Sequence, residues 1–392
     1  MTLAEATREA APGRPAATSA ARAPKIVFYL PALHMGGAER HTLELRDRLA
    51  ALGYPTEILV HQAVVSEGMR EVADADYVRI LGLHGMSRLG EWPKVVAALR
   101  RAKPDVVIAI NEALAVRTVL LRALGLIRAR AVCIFHSTNL LPSDELRLPL
   151  FRTAARFLDA LVFVSVNQAR YWAGRGLGAR RPVVLVNGVD LERFHDQGAE
   201  RGAAKQRLGL APDDYVIGVL ASFREEKNHA QAVRALAALR QGGVGAKLLL
   251  VGDGEMRPGI EQLVETLGLA QHVVFAGEHS DVRPVIAAFD VGLICSTEVE
   301  TFSLAALEIL ATGAPMVMSD IGGASEIVED GVNGFLFPRA DDAALLARLT
   351  TLADPAERRA FQRRARPSVN RYSVGAMVEG YAGLIQDLVR AG

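Results

Sequence analysis

Short apolar runs alternate with helix-like patterns along almost the whole chain. In the first half the runs are KIVFYL, TEILVH, VVIAI, AVCIF, ALVFVS and PVVLV, and in the second they are YVIGVLA, KLLLVG, VVFAG, VGLICS, PMVMS and GFLFP. Apolar residues stand at consecutive positions in these runs rather than at every second position, which indicates strands covered on both faces by helices. The pattern therefore predicts an α/β fold of two doubly wound domains, each built on a parallel sheet.

A polar, aperiodic stretch at 195–206, before the strand that begins at Tyr215, indicates the boundary region between these domains. We predict an N-terminal domain over residues 25–190, a C-terminal domain over 191–372, and a helix in 373–392 that packs back toward the N-terminal domain. Residues 1–24 are rich in Ala, Pro and Arg and lack the apolar stretch of a secretory signal, so a disordered tail is expected there.

Composition indicates the cellular compartment of the protein and shows that the two halves of the chain differ in net charge. Half of the 392 residues are hydrophobic, no apolar run approaches the ~20 residues that span a bilayer, and the only two cysteines lie in apolar runs, so a cytoplasmic protein with packed free thiols is expected. The formal net charge is +1, yet residues 25–187 carry 22 Lys or Arg against 14 Asp or Glu (+8), and residues 188–392 carry 20 against 28 (−8).

The basic clusters of the first half include two amphipathic segments, Arg117 to Arg130 and Leu146 to Leu161. Such segments suit a surface that meets anionic lipid or a pyrophosphate-bearing acceptor. An ordinary solvated helix face is the alternative. Peripheral association with the inner face of the cytoplasmic membrane is therefore a hypothesis from the sequence, and no nucleic-acid partner is expected.

One stretch of the second half, STEVETFSLAALEILATGAPMVMSDIGGASEIVEDGVNGFLFP, combines acidic residues, a helix and glycines. Glu300 precedes an apolar helix and Glu308 lies inside it. The apolar spacing from Leu304 onward gives the helix a buried face, so its N-terminus is predicted at Phe302, Ser303 and Leu304. Backbone N–H groups and the helix dipole make such an end an anion site. A carboxylate beside a phosphate would be repelled, so Glu300 is predicted to contact sugar hydroxyls, and the ligand is predicted to be a nucleotide-sugar.

Every glycine-rich element follows a predicted strand. These elements are Gly36 and Gly37 after KIVFYL, Gly252 and Gly254 after KLLLV, Gly277 after VVFA, and Gly322 and Gly323 after PMVMS. Ligands of open parallel sheets bind beyond the carboxyl ends of the strands, so we expect these loops to line a central cleft between two facing domains. A tight strand-to-helix turn is the alternative explanation for the first pair. Neither the G-x-G-x-x-G spacing nor a phosphate loop is present, which disfavours NAD binding and ATP hydrolysis.

Three further residues follow predicted strands and carry suitable chemistry. Arg224 and Lys227, after YVIGVLA, can clamp a diphosphate and stabilise it as it leaves, although the adjacent acidic residues could simply neutralise them. His136, after AVCIF, can hydrogen-bond a sugar or transfer a proton, although a lone histidine is more often structural. No metal site is predicted, because no second His or Cys stands at ligand spacing and the only D-x-D string, at 74–76, lies away from any glycine loop.

With these motifs the chain resembles the family 4 glycosyltransferases, which are retaining, nucleotide-sugar-dependent enzymes with the two-Rossmann-domain GT-B architecture. The resemblance runs from Lys25 to about Leu388. It implies that Glu300 and Glu308 are the two acids of the family's E-x(7)-E motif, the first contacting the donor sugar's hydroxyls and the second the ribose. It also implies that the C-terminal domain binds the nucleotide-sugar and the N-terminal domain lies on the acceptor side.

Other strings match further family elements. MGGAER resembles the glycine loop near the diphosphate, and VNGVDLERF resembles the segment that links the domains. LLLVGDGEMRPGIEQLVETLGLAQHVVFAG resembles the base-binding stretch, where backbone around Val274 and Phe275 would meet the nucleobase. The resemblance also implies donor contacts for the backbone of Phe302, Ser303 and Leu304, a sugar-lining role for His136 and a phosphate-binding role for Lys227.

The sequence departs from the family pattern at two positions. An arginine often stands five residues before the lysine, where this chain has Ser222, and Arg224 is the candidate replacement. A glycine commonly follows the first acid, where this chain has Thr301, and this change bears on the sugar pocket.

The function predicted from the sequence is a retaining, metal-independent glycosyltransferase without a cofactor. Its donor would be UDP- or GDP-linked, and its acceptor would be a lipid-linked or saccharide intermediate of cell-surface polysaccharide or lipopolysaccharide synthesis. Two alternatives stay open: a GT-B-fold nucleotide-sugar 2-epimerase, which would lack the E-x(7)-E spacing, and a non-catalytic nucleotide-sugar binder.

Overall fold

The computed structural model describes residues 22–34, 36–85, 88–138, 147–298 and 300–391. These residues form two compact units. The first comprises the described residues up to Val186 together with those from Gly375, and the second is Asn187–Val374. Most of the tail expected at 1–24, as well as Met35 and Leu146 of the motifs above, lies outside the described residues.

The first unit is built on a parallel sheet whose described strands run in the order β3-β2-β1-β4-β5-β6-β7. Strands β1 and β4 are buried at every position, as expected for the centre of a sheet covered on both faces. The strands are β1 Ile26–Leu30, β2 Thr56–Val60, β3 Val78–Ile80, β4 Val106–Ile110, β5 Arg130–Phe135, β6 Ala160–Phe163 and β7 Pro182–Val184.

The second unit repeats this plan with the order β10-β9-β8-β11-β12-β13, again with parallel neighbours. Its core packs Ile217 and Leu250 of the sheet against Leu236 and Leu349 of the helices. The strands are β8 Tyr215–Leu220, β9 Ala246–Val251, β10 Val273–Gly277, β11 Val291–Ile294, β12 Met316–Ser319 and β13 Gly334–Phe337.

Helices connect the strands in both units. The described α-helices are α1 Gly37–Ala51, α2 Arg70–Ala73, α3 Trp92–Ala102, α4 Glu112–Ala123, α5 Leu148–Ala155, α6 Val166–Gly174, α7 Arg201–Arg207, α8 His229–Gln241, α9 Arg257–Thr266, α10 Arg283–Ile286, α11 Leu304–Ala311, α12 Ala324–Ile327, α13 Asp342–Ala353, α14 Pro355–Ser368 and α15 Val374–Arg390. Short 3₁₀ turns lie at Glu67–Met69, Leu89–Glu91, Glu225–Lys227, Ala270–His272 and Asn370–Tyr372. None of the helices in the described part of the chain is long and apolar enough to cross a bilayer.

Helix α15 joins the first unit although it ends the chain. The Tyr381 hydroxyl lies 3.3 Å from His41 Nε2, and Gln386 Nε2 donates to the Tyr54 hydroxyl at 2.8 Å. Tyr381 is fully buried. The last helix therefore completes the core of a unit whose other residues lie almost 200 positions earlier.

The prediction of two doubly wound α/β units is confirmed, since each of the twelve apolar runs contains a strand. Strand β3 and helix α7 were not predicted. Strand β3 is only three residues long, is nowhere fully buried, and has Arg79 at its centre.

In both units the strand order reverses direction beside the first strand, between β1 and β4 in one sheet and between β8 and β11 in the other. Open α/β sheets bind ligands at the carboxyl edge of the strands at such a point.

Candidate functional site

Two loops meet at the carboxyl edge of β8 and β11, the neighbouring strands at the point of reversal in the second unit. One loop runs from Ala221 to Lys227 and the other from Cys295 to Ser303, of which Val299 lies outside the described residues. The Thr297 N–H donates to the Glu226 carbonyl at 2.8 Å, which ties the loops together. Strand pairing therefore brings residues about 70 positions apart into one site.

Lys227 and Glu300 form an ion pair across these loops. The Lys227 Nζ lies 2.8 Å from Glu300 Oε2, and the Ser296 hydroxyl donates to the same oxygen at 2.9 Å. Glu300 is 8% exposed. A carboxylate so little exposed is fixed in position by its two partners, and Lys227 supplies a compensating positive charge at the sheet edge.

The Gly322-Gly323 turn after β12 packs against the main chain of Glu300. The Gly323 N–H donates to the Glu300 carbonyl at 2.9 Å, and a Cβ added at Gly322 would lie 2.1 Å from that carbonyl oxygen. Gly322 also has a φ of +56°, a conformation that L-residues rarely adopt. The glycine is therefore required both by space and by conformation, and it allows the turn to hold Glu300.

Helix α11 begins at Leu304, four residues after Glu300. The Ser303 hydroxyl caps it by accepting from the Ala306 N–H at 3.3 Å, and Asn187 Nδ2 donates to the Phe302 carbonyl at 2.9 Å. Within the described chain, the backbone N–H groups of Phe302, Ser303 and Leu304 donate no hydrogen bond. Donors at a helix start attract an anion.

Glu308 lies one turn into the same helix and is 3% exposed. It stands four residues after Leu304 and therefore on the same helix face. Helix α11 thus presents the predicted anion site at its first residues and buries the second acid of the pair within its length.

The loop after β9 packs against the loop that carries Arg224. Gly252 and Gly254 have φ of +134° and +152°, and an added Cβ would lie 2.2 Å from the Ala221 carbonyl oxygen and 2.7 Å from that of Phe223. The Arg224 side chain is exposed, and its guanidinium makes no hydrogen bond or ion pair with a described residue. Arg224 is therefore a cation available to a ligand, whereas the two glycines are required by packing.

Val274 and Phe275 lie in β10, the edge strand of the second sheet. Both are half-buried, and the Phe275 ring lies 6.2 Å from that of Phe223. An edge strand has backbone donors and acceptors on the side away from its neighbour. Backbone recognition of a flat ligand is therefore chemically feasible there.

In the first unit, Gly36 caps helix α1 and Gly37 is its first residue. Neither has a positive φ, and an added Cβ at Gly37 meets nothing within 4 Å. Conformation and packing among the described residues therefore do not require a glycine at 37.

His136 follows β5 in the same unit. Its N–H donates to Asn111 Oδ1 at 3.0 Å, and its ring lies 5.1 Å from that of His41. Burial, together with the neighbouring His41, holds the pKa of His136 well below its usual value, and burial lowers the pKa of His41 to about 4. Both rings are thus neutral near pH 7, so His136 is suited to hydrogen bonding rather than to donating a proton as an imidazolium.

The structure adds positioning residues that the sequence analysis did not single out. Ser296 holds the Glu300 carboxylate, Asn187 holds the start of α11, and Asn111, with a φ of +66°, holds His136. Asn111 and Ser296 lie just after strands, as the predicted site residues do. Their place at a strand end is the sequence feature by which they could have been predicted. Of the predicted residues, the second unit brings together Lys227, Glu300 and the start of α11, while Gly36, Gly37 and His136 belong to the first unit.

Two family models match the chain. "Glycosyltransferase Family 4" matches residues 35–193 and "Glycosyl transferases group 1" matches residues 200–367. Together they cover most of both parallel-sheet units, without β1 and α15 of the first.

Individual proteins are similar over shorter stretches. N-acetyl-alpha-D-glucosaminyl L-malate synthase of Bacillus anthracis is 31% identical over 188 residues, which are 47% of this chain and 49% of that protein. GDP-mannose-dependent alpha-(1-6)-phosphatidylinositol monomannoside mannosyltransferase of Mycolicibacterium smegmatis is 34% identical over 225 residues, 53% of this chain and 58% of that protein. The chain thus spans less than two thirds of the length of these curated relatives.

Among solved structures, Anabaena Alr3699/HepE in complex with UDP superposes with a TM-score of 0.77 at 23% identity. The match covers 93% of this chain and 100% of that one. At this identity the likeness establishes the fold.

Proposed function

Since the chain belongs to glycosyltransferase family 4 and has the GT-B fold, we propose that it is a retaining glycosyltransferase that moves a sugar from a UDP- or GDP-linked donor to an acceptor hydroxyl. The observation that carries this proposal is the Lys227–Glu300 pair beside the start of α11. It places a cation, a fixed carboxylate and backbone donors at one sheet edge, which matches the charge pattern of a sugar joined to a diphosphate.

In the proposed complex, the diphosphate lies at the α11 N-terminus, near Lys227 and the free guanidinium of Arg224. Glu300 accepts hydrogen bonds from the sugar hydroxyls, and Glu308 contacts the ribose. The nucleobase meets the backbone at Val274 and Phe275, on the exposed side of β10. The roles that the resemblance implies for Gly36, Gly37 and His136 stay predictions.

The proposed reaction breaks the bond between the anomeric carbon and the diphosphate oxygen and forms one to the acceptor oxygen. The departing phosphate oxygen takes the acceptor's proton, so the balance needs no other reactant. Negative charge develops on the leaving group in the transition state, where Lys227, Arg224 and the helix donors stabilise it. We propose that these groups serve in place of a bound metal ion.

The first experiment asks which nucleotide stabilises the protein. We expect UDP or GDP to raise the free energy of unfolding by ~2.7 kcal/mol at a hundred times its dissociation constant, because it binds the folded state alone. Thermal unfolding with UDP, GDP and ADP measures this. If none of the three stabilises the protein at saturating concentration, the nucleotide-sugar assignment is wrong.

Incubation with the matching nucleotide-sugars then separates the three candidate activities. A transferase releases nucleoside diphosphate only with a competent acceptor, or slowly to water. A 2-epimerase converts the donor to a new nucleotide-sugar, and a non-catalytic binder leaves it unchanged. Either of the last two results would replace the proposed function.

For the acceptor, we propose a lipid-linked or saccharide intermediate of cell-surface polysaccharide or lipopolysaccharide synthesis, reached at an anionic membrane surface. Support comes from helices α4 and α5 of the first unit. Leu124, Leu150 and Phe157 are 64%, 52% and 51% exposed, and a cavity of about 260 Å³ between the helices is lined largely by aliphatic side chains. Arg128 and Arg156 are exposed nearby and form no ion pair with a described carboxylate. Exposed apolar side chains with unpaired arginines nearby in the chain match an anionic lipid surface.

We expect the protein to bind phosphatidylglycerol vesicles at low salt and to dissociate as salt rises, because each arginine near the surface contributes only about 1 kcal/mol and is screened over about 10 Å at 0.1 M salt. The double variant Leu150→Asp with Phe157→Asp should lose binding, and the matched control Leu52→Asp, 59% exposed outside this surface, should keep it. Vesicle flotation measures both. Absent or salt-insensitive binding would rule out this surface.

A further inference from the structure

A cavity of about 220 Å³ with a polar lining lies in the second unit, at the opposite end of α11 from the proposed donor site. Its lining includes Gly313, which follows α11, as well as Arg201 of α7 and Arg359 and Arg363 of α14. Helix α11 has eight residues and so separates the two places by roughly 12 Å. The cavity is therefore distinct from the Lys227–Glu300 site.

Arginines dominate this cavity. Arg359 and Arg363 are exposed, stand four residues apart on one face of α14, and form no ion pair with any carboxylate in the described ranges. Like charges at this spacing repel each other. Two guanidinium groups held side by side without a counter-charge are a favourable setting for an anion.

Arg201 supplies a third cation from the more buried wall. Its side chain is 12% exposed, and its Nε is buried without a hydrogen bond to a described residue. The nearest carboxylate oxygen, Asp290 Oδ1, lies 3.9 Å away, and the same carboxylate is already paired with Lys205 Nζ at 2.8 Å. No described residue accepts a hydrogen bond from the two terminal nitrogens of Arg201, and these nitrogens therefore keep donor capacity for a ligand in the cavity.

Among the lining residues, one carboxylate, that of Asp196, opposes these three cations. Asp196 Oδ1 accepts from the Gly198 N–H at 2.8 Å and packs against Gly313, where an added Cβ would lie 2.9 Å from that oxygen. Three arginines against one aspartate leave the lining residues with a net charge of +2. Asp196 thus lowers the positive charge of the cavity without cancelling it.

We propose that this cavity binds a phosphate group, as an accessory site separate from the donor site. Guanidinium groups present planar pairs of N–H donors that match phosphate oxygens, and converging arginines are a common way to recognise phosphate. The ligand class is a small phosphate ester or the phosphate of a lipid headgroup, which share this chemistry. The inference does not rest on the proposed transferase activity.

The test measures binding of inorganic phosphate by calorimetry in a Lys227→Ala background, which weakens any phosphate binding at the donor site. We expect the further double change Arg359→Ala with Arg363→Ala to raise the dissociation constant by about tenfold or more, because it removes two charged contacts. Arg364→Ala is the matched control, since Arg364 is exposed on the same helix and its Nε donates to the Ala360 carbonyl. It should bind phosphate as its parent does.

Phosphate binding that is absent in the Lys227→Ala parent, or unchanged by the double substitution, would overturn the proposal. Thermal unfolding of the double variant, whose substituted side chains are exposed, verifies that a loss of binding is not a loss of fold. Glycerol phosphate and phosphatidic acid vesicles then distinguish the two sources. If the double substitution of Arg359 and Arg363 weakens the binding of either ligand, the result supports the site and identifies its ligand class. If both ligands bind equally well with and without the substitution, the result counts against the site.

Discussion

Replacing Lys227 by alanine is expected to lower turnover by roughly a hundred- to a thousandfold, the effect of losing one contact worth about 2.7 to 4 kcal/mol in the transition state. Lys227 is the charged side chain that contacts the first acid, and the leaving diphosphate gains negative charge as the sugar departs. The fold should persist, because the Lys227 side chain is 23% exposed and the Glu300 carboxylate keeps its hydrogen bond from Ser296. Steady-state kinetics with the donor found by thermal unfolding measure the loss.

Arg234→Ala is the matched control for this prediction. Arg234 carries the same charge in the same unit, but it pairs with Asp342 at an exposed position of α8. An exposed pair contributes about 0 to 1 kcal/mol to stability, so this variant should keep its turnover. If Lys227→Ala turned over as fast as Arg234→Ala, the assignment of the leaving-group site would fail.

Glu300→Ala is expected to lower turnover on the same scale, roughly a hundred- to a thousandfold. The change removes the carboxylate that we propose for the sugar hydroxyls and also the partner that positions Lys227. Glu300→Gln should lose less, because an amide oxygen still accepts hydrogen bonds from Ser296 and from a sugar. Glu298→Ala, an exposed acid of the same loop, should retain turnover and serves as the control.

Deoxy-sugar donors make this second prediction specific. If Glu300 binds a particular hydroxyl, the donor that lacks it should be a poor substrate for the parent protein, and Glu300→Ala should lower its turnover little further. Additive losses for every deoxy donor would show that Glu300 acts through Lys227 alone. Near-parental turnover in both Lys227→Ala and Glu300→Ala would refute the site as a whole.

The sequence predicted the fold well because its strands are buried on both faces. Runs such as VVIAI and LLLV are apolar at every position, so their pattern predicts strands without knowledge of their neighbours. Strand β3 gave no such signal, since only three residues pair at a half-exposed edge. The short helix α7 was missed because it lies in a polar stretch without an apolar face.

The candidate site was predicted in part. A strand end, a glycine turn and a helix start are local patterns, so Glu300, Ser303 and the Gly322-Gly323 turn could be identified from their own segment. The pairing of Lys227 with Glu300 spans 73 positions and depends on β8 lying beside β11, which a local pattern does not specify. The hydrogen bond from Asn187 to Phe302 spans 115 positions and was missed for the same reason.

The placement of helix α15 in the first unit has a practical consequence for dissecting this protein. A fragment that stops at Val186 would lack Tyr381 and Gln386, so His41 and Tyr54 would lose these partners. Part of an apolar face of the first unit would also be exposed to solvent. The complementary fragment Asn187–Val374 is continuous in sequence and needs no such repair. Split expression would therefore start from the second unit alone, and the first would require residues 375–391 to be grafted back through a linker.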